Sequence, residues 1–255
     1  LDPIELAAVE GVMRDAGTGL VGPLKADLIP GRRSHLTFRL TDGASLWVLR
    51  MPPRAGRTPS AHDVAREFRV TRALAGAGVP VPPAVALCED ESLLGGPFAV
   101  AEFVDGRNIQ HRPDLDALTG PLLASAVTRM VEALARLHRV DHTAVGLGDF
   151  GRPDGYAARQ LRRWSGQWPL VTRGEGRVDE LAERLRDALA AVVPEQRAVG
   201  IVHGDYRIDN TLLRIGDDDV EVAAIVDWEL STVGDPVADV AMMCVYRHPA
   251  LDHIL

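Results

Sequence analysis

The chain has 255 residues, of which 46% are hydrophobic and 25% are charged, and its formal net charge is −8 at pH 7. This length allows one large domain or two lobes that share a cleft, and the acidic balance disfavours a nucleic-acid partner bound through its phosphates. No apolar run reaches the roughly 20 residues of a membrane span, and no signal-peptide pattern opens the chain. The two cysteines, Cys88 and Cys244, form no CxxC pair, which favours a reducing cytoplasm.

The first hundred residues predict a small β-rich lobe. Apolar-rich runs at 35–40 and 45–50 flank Asp42-Gly43, a dipeptide typical of a β-hairpin. Ser60 predicts the N-cap of a helix that continues to about Ala75, and we expect this helix to pack against the sheet. A further strand is predicted at 97–104.

The rest of the chain predicts a mostly helical lobe that contains a hairpin. A long helix is predicted from about Pro121, with a buried face formed by the apolar residues at 123, 126, 127, 130, 131, 134 and 137. A second helix is predicted at about 177–192, and strands follow at 198–202, 211–215 and 220–226. We therefore expect an α+β fold with an N-terminal lobe over 1–104 and a C-terminal lobe over 105–255.

Three oxygen-bearing side chains are predicted to meet at one end of that hairpin. Asn210 immediately precedes its first strand and Asp227 immediately follows its second, so antiparallel pairing brings the two together. Asp205 lies five residues before Asn210 on the same loop. Such ligands suit Mg²⁺, which is commonly held by one or two carboxylates together with substrate phosphates. The alternative is that these residues only cap turns, as Asp and Asn often do.

The motifs HGDYRIDN, IVDWE and GDPVADVA, within residues 203–241, carry a resemblance to a known family. They resemble the aminoglycoside phosphotransferase family of small-molecule kinases, and most of all its branch associated with acyl-CoA dehydrogenases. The resemblance implies a bilobal protein-kinase-like fold, with a small antiparallel β lobe and a larger, mainly helical lobe. Family members usually continue beyond the point where this sequence stops, so we expect the C-terminal lobe to be truncated.

The resemblance also implies roles for residues of these motifs. Asp205 matches the catalytic Asp that orients the acceptor hydroxyl or accepts its proton, and Asn210 and Asp227 match the Mg²⁺ ligands. His203 matches a supporting residue at the start of the catalytic loop. Asp239 is expected to bond the backbone of that loop rather than to contact substrate.

The N-terminal lobe is then expected to bind ATP. Gly31 and Ser34 lie in the turn that matches the phosphate-covering loop, although the turn lacks a full GxGxxG. Arg50 stands where the family usually has a phosphate-contacting Lys, and Glu67 stands where its helical partner lies. The stretch from Glu102 to Val104 matches the connector whose main chain binds adenine.

An acceptor site is suggested by a basic helical stretch at 155–168. Arg159 and Arg163 share a helix face, and Trp164 lies beside them. This combination suits an anionic acceptor such as a hydroxyacyl-CoA or hydroxy acid better than a polyamine, although the same pattern also describes a solvated helix face with core tryptophans. The oligomeric state stays open.

Four other functions compete with this interpretation. An aminoglycoside is an alternative acceptor, and a nucleotide-binding pseudokinase is suggested by the unusual Arg50. An acyl-CoA dehydrogenase is disfavoured because the chain has no flavin-binding fingerprint. A zinc hydrolase built on His138 and His142 is disfavoured because the glutamate of an HExxH motif is missing.

Overall fold

The computed structural model describes residues 1–29, 35–53, 63–172 and 176–245. The strands in these ranges are β1 (Lys25–Leu28), β2 (Leu36–Thr41), β3 (Leu46–Met51), β4 (Ala84–Cys88), β5 (Phe98–Glu102), β6 (Arg107–Asn108), β7 (Gly200–Val202), β8 (Thr211–Ile215), β9 (Val220–Ile225) and β10 (Thr232–Gly234). The helices are α1 (Pro3–Asp15), α2 (Val64–Ala75), α3 (Glu91–Leu94), α4 (Arg112–Asp116), α5 (Gly120–His138), α6 (Tyr156–Val171), α7 (Gly176–Ala190) and α8 (Val237–Val245). Among the described helices, none is both long and apolar enough to cross a membrane.

The N-terminal half forms a five-stranded sheet in the order β1-β2-β3-β5-β4, with every neighbouring pair antiparallel. The predicted hairpin between β2 and β3 is confirmed. Gly43 has φ 95°, a left-handed conformation that glycine adopts without strain. Asp42 Oδ1 accepts hydrogen bonds from the backbone N–H groups of Ala44 at 2.9 Å and Ser45 at 2.8 Å, which closes the turn.

Helix α1, which the sequence analysis did not predict, covers one face of this sheet. Val9 and Met13 are fully buried in a cluster with sheet residues such as Leu49. A capping box marks its start, because Asp2 and Glu5 each accept a hydrogen bond of 2.9 Å from the other's backbone N–H. That box was the sequence signal for the helix.

Helix α2 differs from the prediction in its start and in its packing. Its N-cap is Asp63, which accepts from the Arg66 N–H at 2.9 Å, and not Ser60, which lies outside the described residues. The helix contacts β4 and β5, as expected for a helix on the sheet. However, Val70 and Leu74 are fully buried in the hydrophobic core of the C-terminal lobe. Helix α2 is therefore shared between the two lobes.

Helix α5 forms the centre of the C-terminal core and packs against β7 and β9. Its buried residues are Ala126, Met130, Ala133, Leu134 and Leu137. The predicted face was too wide, because Leu123, Val127 and Val131 are 37%, 49% and 50% exposed. At 3.6 residues per turn the seven predicted positions span about 140° of the helix circumference, whereas the buried residues span about 100°, because the neighbouring strands cover only one side of the helix.

The remaining strands position the functional loops. The predicted hairpin of β8 and β9 is confirmed, with Thr211 opposite Ile225, and β6 extends it to three strands. The short strands β7 and β10 pair with each other, so the segments that follow β7 and β9 lie close together. Helix α7 lies within the predicted helix at 177–192 apart from its first residue.

The α5 packing generates a stability prediction. We expect Leu137→Ala to lower the free energy of unfolding by about 2–5 kcal/mol, because Leu137 is 0% exposed and its loss leaves a cavity. The same substitution at the partly exposed Leu123 on the same helix is expected to cost less than about 1 kcal/mol. Urea denaturation of both variants measures the difference. Equal losses would show that the two faces of α5 do not differ in packing as described.

Candidate active site

A buried carboxylate anchors the backbone of the loop after β7. Asp239, in α8, is 0% exposed and accepts hydrogen bonds from the backbone N–H groups of His203 at 2.9 Å and Gly204 at 2.8 Å. Gly204 has φ 89°, and a Cβ there would lie 2.7 Å from the Leu230 carbonyl oxygen. Glycine is thus required at this position of the HGD sequence, because a side chain would be strained at this φ and would collide with Leu230.

His203 is fully buried within this loop. Its Nε2 bonds the Val226 carbonyl at 3.0 Å and its Nδ1 accepts from the Asp205 N–H at 3.3 Å. Since a ring nitrogen that accepts from an N–H is unprotonated, the imidazole is neutral. Burial lowers the pKa of His203, which agrees with this assignment. The side chain thus connects the loop after β7 to the end of β9.

Asp205 and Asn210 are joined directly. Asn210 Nδ2 donates to both the backbone oxygen and the Oδ2 of Asp205, each at 2.9 Å. The amide nitrogen is thereby committed to Asp205, which leaves the amide oxygen as the atom able to bind a cation. Asp205 Oδ1 has no hydrogen-bond partner among the described residues.

Arg207 is a charged neighbour of Asp205 that the sequence analysis missed. Its Nε lies 3.4 Å from Asp205 Oδ2, and its Nη2 lies 2.7 Å from Asp209 Oδ2. The sequence does show an arginine two positions after Asp205. In a loop, however, the spacing of two residues does not determine the direction of their side chains.

Asp227 lies beside this loop at the end of β9. The Val226 N–H donates to the Asn210 carbonyl at 2.9 Å, so the two ends of the hairpin meet as predicted. Asp227 has φ 69°, and it is the only non-glycine residue with positive φ in the described part of the chain. A left-handed backbone conformation is uncommon for a residue other than glycine, and such residues cluster at functional sites.

Arg50 connects β3 to the carboxylates of the cleft. Its Nη1 lies 2.9 Å from Glu67 Oε2 and its Nη2 lies 3.1 Å from Asp227 Oδ1. Burial disfavours the guanidinium charge, but Glu67 and Asp227 outweigh that effect and raise the pKa of Arg50. The predicted pairing of Arg50 with Glu67 is therefore present. The additional contact with Asp227 was not predicted.

A cavity of about 390 Å³ lies between the sheet and the C-terminal lobe. Its apolar lining includes Val48, Ala99 and Leu212, and both Glu102 and Val104 also line it. The N–H of Glu102 already bonds the Pro83 carbonyl at 2.9 Å. In the described residues the Val104 N–H has no such acceptor, so it is the connector donor that remains for a ligand.

The remaining predicted site residues fall into two groups. Gly31 and Ser34 lie outside the described residues. Arg159, Arg163 and Trp164 are on α6, and none of them lines the cavity. The Arg163 guanidinium lies 5.6 Å from the centre of the Trp164 ring, and Trp164 is 56% exposed.

The disfavoured zinc site is not formed by its two histidines. His138 Nε2 lies 2.9 Å from Asp239 Oδ2, so His138 supports the loop anchor. Within the described residues, the group with metal-ligand spacing is instead His35, Glu67 and Glu229. Arg50 Nη2 lies 3.0 Å from His35 Nδ1 and its Nη1 holds Glu67, so a cation already occupies this group.

Comparisons with known proteins agree with this architecture. Residues 25–255 match the phosphotransferase enzyme family, APH. A solved structure from Ralstonia eutropha, provisionally described as an aminoglycoside phosphotransferase, is 36% identical, with a TM-score of 0.78 over 95% of this chain and 70% of that one. The ternary complex of aminoglycoside phosphotransferase APH(4)-Ia with ADP and hygromycin B is 16% identical, with a TM-score of 0.64 over 93% of this chain and 76% of that one, and shows the shared fold.

Curated relatives come from a second group of proteins. Mouse acyl-CoA dehydrogenase family member 10 is 38% identical over 229 residues, which cover 90% of this chain and 21% of that protein. The Arabidopsis thaliana protein IBR3, described as a probable acyl-CoA dehydrogenase, is 40% identical over 226 residues, which cover 84% of this chain and 27% of that protein. The chain thus spans about a quarter of these relatives or less. The match over residues 25–255 and the kinase-like bilobal architecture show that the chain belongs to the phosphotransferase enzyme family.

Proposed function

We propose that the chain is an ATP- and Mg²⁺-dependent kinase that transfers a γ-phosphoryl group to the hydroxyl of a small anionic acceptor, a hydroxyacyl-CoA or hydroxy acid. One observation carries the proposal: Asn210 donates to Asp205, the N–H of Val226 next to Asp227 donates to the Asn210 carbonyl, and Asp227 accepts from Arg50 at the cavity. A base candidate, oxygen ligands and a phosphate-binding cation therefore lie in one connected group. Positioning and charge neutralisation account for most of the catalysis in phosphoryl transfer.

The cavity suits a nucleotide. Apolar side chains line the part beside the connector, where the Val104 N–H can bond the edge of adenine. Arg50 also lines the cavity, and the pairing of β3 with β5 places it opposite Ala99, three residues along the sheet from Glu102. It remains charged, which suits the phosphates. The region beside the connector thus provides an apolar slot for adenine, and β3 provides a cation for the phosphates.

The metal ligands fit Mg²⁺ by their chemistry. Asn210 offers an amide oxygen and Asp227 a carboxylate, both hard donors of the kind that Mg²⁺ prefers. Mg²⁺ bound to these two side chains would neutralise phosphate charge as the phosphoryl group transfers.

Asp205 is placed to act on the acceptor. Its Oδ2 is fixed by Asn210, so the carboxylate presents Oδ1 to an incoming hydroxyl. As the acceptor oxygen bonds to the γ-phosphorus and the bond from that phosphorus to the ADP oxygen breaks, the hydroxyl proton passes to Oδ1. A carboxylate held in this way acts as a general base without a change of its own position.

The acceptor class follows from charge and from relatives. Arg159 and Arg163 give α6 a basic face beside the exposed Trp164 indole, which suits an anionic acceptor that carries a nucleotide. The relatives named acyl-CoA dehydrogenases support an acyl-CoA-type substrate. We propose the cytoplasm as the location, in keeping with the free Cys88 and Cys244. We propose no nucleic-acid or membrane partner.

Aminoglycosides are the second candidate acceptors, because a structural neighbour at 36% identity is provisionally described as an aminoglycoside phosphotransferase. A polycationic substrate needs carboxylates in its pocket, whereas α6 presents arginines. Both classes therefore belong in the same assay.

The first functional prediction concerns the base. We expect Mg²⁺-dependent ADP release from ATP to be stimulated by hydroxyacyl-CoAs or hydroxy acids, and Asp205→Asn to lower kcat by about 10²–10⁴-fold while ADP affinity changes little. An aminoglycoside panel runs in parallel, and Asp218→Asn in the exposed β8–β9 turn is the matched control. Stimulation by aminoglycosides alone would overturn the acceptor class. ATP binding without turnover on any acceptor would identify a nucleotide-binding pseudokinase.

The second functional prediction concerns the metal. Asp227→Asn removes one ligand charge, so we expect the Mg²⁺ concentration needed for half-maximal ADP binding to rise by roughly tenfold or more. Calorimetric titrations of ADP at a series of Mg²⁺ concentrations measure this shift, with Asp217→Asn as the surface control. An unchanged Mg²⁺ dependence would rule out Asp227 as a metal ligand.

A further inference from the structure

His35, directly before β2, lies inside the cleft beside Arg50. Its side chain is 0% exposed, and its Nδ1 lies 3.0 Å from Arg50 Nη2. A guanidinium can only donate hydrogen bonds, so Nδ1 must accept this one and the ring proton resides on Nε2. The imidazole therefore contacts Arg50 as a neutral acceptor. Its Nε2 lies 3.7 Å from Glu67 Oε1, so the same ring also faces the partner of Arg50 on α2.

Three groups together restrict the orientation of the Arg50 guanidinium. The Nη1 atom donates to Glu67, and the Nη2 atom donates to both Asp227 and His35. The Nε–H is buried and has no hydrogen-bond partner among the described residues. One hydrogen of Nη1 is thus the donor left for a ligand. Which way this donor points depends on all three contacts being in place.

The contact with His35 differs from the two carboxylate contacts. Glu67 and Asp227 attract the guanidinium by charge, and such attraction tolerates many orientations. A single neutral acceptor behind Nη2 fixes the rotation of the guanidinium plane, because a hydrogen bond weakens steeply when its angle is wrong. It does so without adding a further negative charge next to the place where phosphates must bind.

We infer that His35 is a positioning residue that orients Arg50 toward the phosphates of the nucleotide. The inference rests on the proposed function, since it takes Arg50 as the phosphate-binding cation. Arg50 then contacts the phosphates, and His35 acts only through Arg50. Loss of His35 should therefore weaken binding of the phosphate-bearing part of a nucleotide and leave the nucleoside part unaffected.

The test compares ADP with adenosine by calorimetry in the presence of EDTA, so that no metal contributes. In the wild-type protein we expect ADP to bind more tightly than adenosine. His35→Leu, which keeps a side chain of similar size but no acceptor, is expected to reduce ADP affinity by about tenfold while adenosine affinity stays within about twofold. His35→Asn places an amide oxygen near the Nδ1 position and is expected to recover most of that loss.

Three further variants separate the possible causes. His35→Gln places its amide near the Nε2 position and should behave like His35→Leu, which keeps the test valid if the Leu variant does not fold. Arg50→Ala should show at least the same loss of ADP affinity. His142→Asn is the matched control, since His142 lies outside the cleft, and it should leave both affinities unchanged.

The outcomes distinguish the inference from the proposed function. If Arg50→Ala lowers ADP affinity but the His35→Leu and His35→Gln variants retain the wild-type preference for ADP, His35 does not position Arg50. Equal losses of ADP and adenosine affinity in the His35 variants would also overturn the inference, because they indicate a general disturbance of the cleft. Absence of ADP binding by the wild-type protein, or an Arg50→Ala variant with unchanged binding, would overturn the proposed nucleotide site and the inference with it.

Discussion

The buried carboxylate of Asp239 holds the loop after β7 in place. It accepts hydrogen bonds from the backbone N–H groups of His203 and Gly204 and from His138 on α5, at 2.8–2.9 Å. A fully buried charge is costly unless it is compensated, so these contacts cannot be lost singly without leaving it poorly paired. Because Asp205 is two residues after His203, its position follows from this anchor.

Helix α2 extends that constraint to the side of the cleft formed by the N-terminal sheet. Besides its apolar contacts with the C-terminal core, Arg66 donates to the Ser231 carbonyl at 3.1 Å, and Arg69 donates to the Gly146 carbonyl at 2.9 Å. Glu67, between these two arginines in sequence, pairs with Arg50 on the sheet. The carboxylates that hold Arg50 thus belong to elements fixed on the C-terminal lobe. The contacts of Arg50 with these carboxylates therefore depend on the position of the sheet relative to that lobe.

The parts of the site that could be predicted are those that depend on strand register. Asn210 and Asp227 flank a hairpin, so the pairing of β8 with β9 brings them together at its open end. The contacts of His35 and Arg207 could not be predicted, because they depend on side-chain directions in loops that have no period. The width of the buried face of α5 was overestimated for a related reason. Apolar residues in a sequence show which positions can be buried, but the neighbouring elements determine which of them are buried.

The charges in the cleft explain why the proposed reaction needs a divalent cation. Glu67, Asp227 and Glu229 surround Arg50 and His35, and His35 is neutral when it accepts from Arg50. Three carboxylates facing one guanidinium leave an excess of negative charge before any phosphate arrives. Two like charges about 4 Å apart repel by about 4 kcal/mol at an effective dielectric constant near 20, so Asp227 offsets part of the attraction between Arg50 and the phosphates of a metal-free nucleotide. Mg²⁺ held by Asp227 would remove this repulsion, and Arg50 would remain available to the phosphates.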